Sequence, residues 1–191
     1  MKTINYLIVR LEEDYQNEKS TEGGNKIIVN SSIENVKYIN RVAEVVSAPD
    51  FTILQKGDKV VTHHNIFRKR NDVKGNQIPS NFHIKEDLYF VPLTEAFMYK
   101  REEEWQSIAP YCFVKPIKLE HRGEFQRTLD DVSHEGMVKN QGIMCYSNQD
   151  LLDKGVEKGD RVLFTNYSEY EFMIENELYY KMSTKDIIKV L

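Results

Sequence analysis

Few side chains in this sequence are placed to do chemistry, and most of them lack the neighbours that chemistry needs. His63-His64, with His83 further along, suggests imidazole ligation of a metal. Adjacent residues on a strand point to opposite faces, so His63 and His64 are not expected to share one ion. Cys112 and Cys145 form no C-x-x-C pair, which argues against a zinc ribbon or a redox pair. Asp130-Asp131 and Glu102-Glu103-Glu104 read as solvated charge, because no base or nucleophile accompanies them. Catalytic residues, metal ligands and cofactors are therefore all expected to be absent. One further segment stands out by its residue types and spacing. Gly23-Gly24 precede, by two residues, the aliphatic run Ile27-Ile28-Val29 inside a stretch of Glu, Asn, Ser, Thr and Lys. Such a composition buries too little surface to order itself, and these three residues begin its only apolar cluster. One reading is that Ile27-Ile28-Val29 is an ordinary edge strand.

A chain of 191 residues, 40% apolar and 11% aromatic, is globular and has room for one ordinary domain or two small ones. A net charge of −4 gives no reason to expect a nucleic-acid partner. Arg68-Lys69-Arg70 is expected to be a solvated loop or an intersubunit charge contact. Tyr167, Tyr170, Tyr179 and Tyr180 are expected to pack in a core or an interface. The first apolar run is broken by Arg10, Glu12, Glu13 and Asp14, too early for a signal or a membrane span. A cytoplasmic location is the expectation, in a bacterium or, for a virus-encoded chain, in its host.

Self-similarity decides the organisation. Lys56-Gly57-Asp58-Lys59-Val60-Val61 returns as Lys158-Gly159-Asp160-Arg161-Val162-Leu163, an offset of 160 − 58 = 102. Tyr6-Leu7-Ile8-Val9-Arg10 matches Tyr111-Cys112-Phe113-Val114-Lys115 at an offset of 105. Leu88-Tyr89-Phe90 matches Leu178-Tyr179-Tyr180 at an offset of 90. The fall from 102 to 90 predicts about twelve extra residues in the first copy, within residues 68–81, which a surface loop tolerates cheaply. Short strands separated by Gly, Asp, Asn and Pro make each copy all-β. The expected domains are residues 1–101 and 111–191, joined by a linker at 102–110. The first carries a loop at about 15–38, and the second a divergent loop at about 119–135 that lacks the Gly pair and the aliphatic tip.

These landmarks resemble the co-chaperonins of the GroES type (chaperonin-10 family), in a tandem double-domain form. The opening strand, the Gly23-Gly24 loop, Asn40-Arg41-Val42-Ala43-Glu44-Val45-Val46 and the Lys-Gly-Asp turn occur in the family's order, with Ala43 where Gly is usual. The resemblance implies two tandem GroES-like small β-barrels and no enzyme activity. It also implies a mobile loop that docks on a GroEL-type chaperonin through Gly23, Gly24, Ile27, Ile28 and Val29. Its partners would be that chaperonin ring, an unfolded client in the capped chamber, and further copies of the chain, most naturally a heptamer. GroES-like barrels also open many zinc alcohol dehydrogenases, but no G-x-G-x-x-G follows here. The alternative function is a ring-forming structural or assembly protein that has lost chaperonin docking, and a further one is a monomeric peptide-binding module.

Overall fold

Alternating apolar residues set the strands. The computed structural model describes residues 3–11, 18–20, 26–28, 41–119, 136–175 and 177–191. In chain order the strands are β1 (Tyr6–Arg10), β2 (Glu18–Ser20), β3 (Lys26–Ile28), β4 (Val42–Ser47), β5 (Lys59–Thr62), β6 (Arg70–Asn71), β7 (Gln77–Ile78), β8 (His83–Lys85) and β9 (Leu88–Pro92). They continue as β10 (Ala96–Arg101), β11 (Glu104–Ser107), β12 (Tyr111–Lys118), β13 (Met137–Tyr146), β14 (Arg161–Phe164), β15 (Tyr170–Ile174), β16 (Glu177–Ser183) and β17 (Ile187–Val190). The one α-helix among the described residues, α1, is the single turn Gln149–Leu152. The fold is all-β.

The chain divides into two compact units, Met1–Glu104 and Trp105–Leu191. The segment expected as a linker is not featureless. Glu102 and Glu103 take φ of +50° and +65°, the left-handed pair of a two-residue hairpin turn, and β11 follows at once. In the second unit Trp105 Nε1 donates to Glu175 Oε1 at 3.1 Å.

Strand order shows what the two copies share. The first sheet runs β11-β10-β5-β4-β1-β9-β8 and the second β15-β16-β12-β13-β14-β17. With β11 set aside, each strand of one has a counterpart at the same place in the other: β8 with β15, β9 with β16, β1 with β12, β4 with β13, β5 with β14, β10 with β17. Irregularities repeat too, since the β1–β4 register shifts between Ile8 and Val9 and the β12–β13 register between Phe113 and Val114. Hydrophobic burial follows the same plan. Leu7, Val9, Val45, Val60, Tyr89 and Val91 are buried in the first core, and Cys112, Val114, Met144, Val162, Tyr180 and Met182 in the second.

Register corrects one expectation. Val9 faces Tyr89 across β1–β9, and Val114 faces Tyr180 across β12–β16, so the later strands are equivalent at 180 − 89 = 91, not 90. Pairing Leu88 with Leu178 by residue type slips the alignment one place, which on a strand exchanges the inner and outer faces. The first copy therefore carries eleven extra residues after its Lys-Gly-Asp turn. The added length includes the β6–β7 hairpin, paired Arg70↔Ile78 and Asn71↔Gln77.

Candidate docking loop and the turns that frame it

The repeated Lys-Gly-Asp turn is built the same way twice. Gly57 and Gly159 sit at φ +93° and +99°, a conformation that glycine adopts without a Cβ penalty. Val45 N donates to Asp58 O and Gly57 N to Val45 O, both at 2.8 Å, and Met144, Asp160 and Gly159 repeat both bonds at 2.8 Å. Each aspartate closes its turn with a side-chain oxygen, Asp58 Oδ2 accepting from Gln55 N and Asp160 Oδ2 from Glu157 N, both at 2.8 Å.

The copies then diverge. Arg101 Nε donates to Asp58 Oδ1 at 2.9 Å and Arg101 NH2 to Asp58 Oδ2 at 2.7 Å, a bidentate pair. Burial would raise the Asp58 carboxyl, but hydrogen bonds from Arg101 and the Gln55 amide outweigh it and hold the group below the usual carboxylate range. Sequence reasoning missed Arg101, because a contact across 43 residues leaves no local pattern. Removing Arg101 would leave the buried Asp58 carboxylate uncompensated, whereas removing Asp58 leaves a partly solvated guanidinium. The Arg101 side chain is 32% exposed, so the loss from Asp58→Ala is discounted for solvent to about 2–3 kcal/mol in the first unit. Thermal unfolding followed by circular dichroism checks this.

His63 and His64 do not lie on a strand. His63 caps the short 3₁₀ turn His64–Ile66, its Nδ1 accepting from Asn65 N at 3.2 Å, and the two rings lie 4.1 Å apart at 31°. The opposite-face argument fails because the chain has left β5. His83 packs instead against Tyr89, ring centres 5.1 Å apart. Burial, with the positive charges of His63, Arg41 and Arg68, lowers the His64 pKa to about 4. An unfolded histidine titrates near 6.5, so the unfolded chain takes up this proton first. Stability contributed by neutral His64 is complete above that value and is lost as pH falls from about 6.5 towards 4. The Asp58 contribution is present above the unfolded carboxylate pKa and is lost as pH falls through its lowered folded value. Two windows of acid destabilisation are expected. His64→Gln removes the upper one and Asp58→Asn the lower, as pH-dependent melting measures.

Of the predicted docking residues, Ile27 and Ile28 fall in β3, which pairs antiparallel with β2 as Glu18↔Ile28, Lys19↔Ile27 and Ser20↔Lys26. Among the described residues this strand pairs with β2 alone, in a two-stranded ribbon apart from the seven-stranded sheet. Gly23, Gly24 and Val29 lie outside the described residues, as does most of the divergent second loop at 119–135.

Paired Gly-Asp turns and one strand order used twice define a class: all-β chains in which one small sheet architecture occurs twice. Comparison with known proteins agrees. Residues 127–191 match the family described as Chaperonin 10 Kd subunit. Co-chaperonin GroES of Thermosipho africanus (strain TCF52B) is 35% identical over 75 residues, 39% of this chain and 82% of the relative. The GroES proteins of Kosmotoga olearia and Thermosipho melanesiensis are 33% and 32% identical over the same shares. The chain belongs to the GroES-type chaperonin-10 family. These relatives lend no support to a virus-encoded origin.

Proposed function

We propose that this protein is a co-chaperonin that caps a chaperonin ring and assists ATP-dependent folding, with the ATPase supplied by the chaperonin. The observation that carries the reading is the strand-for-strand equivalence of the two units. The family match falls on the second, and shared strand order, turn geometry and burial extend its architecture to the first, which holds the Gly23-Gly24 loop. In this reading Gly23, Gly24, Ile27, Ile28 and Val29 dock on the chaperonin in the cytoplasm. The second copy builds or extends a ring of identical chains, stacked so that seven loops descend from seven chains, and a client folds in the enclosed chamber.

Two measurements test it. Mixed with purified chaperonin and nucleotide, the native assembly forms a complex larger than the chaperonin alone and slows or modifies ATP turnover. A ring-forming structural protein without docking would do neither. Native mass spectrometry of the protein by itself is expected to give seven chains of 22.5 kDa; a monomer would overturn the ring.

A further inference from the structure

The eleven extra residues of the first copy build something that core packing does not require. β6 and β7 form a sheet with each other alone, and Val73 near the tip is fully exposed. The turn stabilises itself: Asp72 Oδ1 accepts from the amides of Lys74 and Asn76 at 2.8 Å each, and Oδ2 accepts from Asn76 Nδ2 at 3.0 Å. At its base, inside the first unit, lies a cavity of about 490 Å³ whose walls include Asn65, Arg68, Lys69, Arg70, Asn81 and Phe82. No carboxylate is among its described lining residues. Three successive cations line it together with amides and an aromatic ring, an unusual lining for a loop that only needs to stay soluble.

We propose that this cavity binds a nucleoside di- or triphosphate, with the phosphates held by Arg68, Lys69 and Arg70 and the base lying towards Phe82 and Asn81. Guanidinium forks match phosphate oxygens in bidentate pairs, and lysine adds a point charge. The volume lies in the range of about 300–1,000 Å³ typical of organic-ligand pockets and exceeds what a lone phosphate would fill. The field agrees: Arg68 is among the cations that hold the neighbouring His64 in its neutral form. Asp72, the nearest acid in sequence, has both carboxylate oxygens engaged in its own turn. In the second copy the corresponding connection, residues 165–169, reads Thr-Asn-Tyr-Ser-Glu and carries no cation. One site per chain follows.

The full chain, without chaperonin, is titrated calorimetrically with ADP, pyrophosphate and adenosine at low and high salt. ADP is expected to bind at one site per chain, pyrophosphate more weakly and adenosine weakest, with affinity falling as salt screens the cations. Arg68→Gln with Arg70→Gln weakens ADP at least about tenfold, the loss expected for removing charge-assisted phosphate contacts. Hydrogen exchange on the unaltered protein, read by mass spectrometry, shows ADP protection confined to 65–71 and 80–82, which keeps the test independent of how the variant folds. Absence of ADP binding, adenosine binding as tightly as ADP, full affinity in the double variant, or protection elsewhere would each overturn the proposal. The chaperonin experiment stands or falls separately, because no chaperonin is present.

Discussion

Replacing Ile27, Ile28 and Val29 together by serine is expected to abolish capture of the chaperonin, while the mass and melting of the protein by itself stay unchanged. The size of the effect follows from how weak one loop is. Burying three branched side chains yields about 5–9 kcal/mol, at about 1.5–3 each, and fixing some six residues costs about 6–12 kcal/mol of backbone entropy. One loop therefore nearly breaks even. Pairing of β2 with β3 lowers that cost, because part of the segment is already extended before it meets a partner, although a lone two-stranded ribbon is itself only marginally stable in water. Several loops on one ring convert weak contacts into avidity, each event after the first being intramolecular and adding about 10²–10⁴ overall. The same multiplication makes loss of the tip catastrophic, because every loop is weakened at once. Mass photometry of the variant with chaperonin and ADP measures it, and undiminished complex would remove these residues from the docking role.

Much of this architecture can be read from residue types, and the failures have physical causes. The Lys-Gly-Asp turn is legible because glycine at positive φ and an aspartate closing its own turn are local requirements. Strand register is not local. Leu88-Tyr89-Phe90 looks most like Leu178-Tyr179-Tyr180, yet hydrogen bonding matches Tyr89 with Tyr180, because the sheet selects which face is buried. The turn at Glu102-Glu103 was hidden for a different reason. Glutamate gives no hint of a left-handed backbone, and a run of acids reads as solvated linker until the strands on either side of it are known. The His63-His64 pair misled because the strand it seemed to continue ends at Thr62. Arg101, the partner of Asp58, is invisible at a distance of 43 residues. Of the docking segment, the pairing of Ile27 and Ile28 in β3 bears on the edge-strand reading, and their role in docking awaits the serine variant.

Gly142→Ala should unfold much of the second unit's stability, although Ala43 occupies the equivalent place in the first. A Cβ at Gly142 would meet Val114 Cγ1 at 2.2 Å and Lys115 O at 2.8 Å, and neither atom can give way cheaply. One is a core side chain with no exposure and the other is backbone. Gly142 thus has a steric reason in the second copy, whereas the first holds an alanine at the equivalent place. β12 runs on to Lys118 and pairs Pro116 with Gly142. β1 stops at Arg10, its last pair with β4 being Arg10↔Glu44, but Val9 and Arg10, the counterparts of the crowding Val114 and Lys115, both lie in β1, so strand length does not explain how Ala43 is accommodated. Ala43 is 3% exposed and uses its methyl in the core. Overpacking commonly costs about 1–3 kcal/mol, and an overlap this deep belongs at or above the top of that range. For a unit of this size about 3 kcal/mol corresponds to a fall of roughly 12–24 °C in Tm. The reciprocal change, Ala43→Gly, loses a buried methyl and adds backbone freedom, about 1–2 kcal/mol in all. Calorimetry resolves the two, with hydrogen exchange assigning each loss to its unit. Equal costs would mean that β12 yields to the added methyl, and the steric account of Gly142 would then fail.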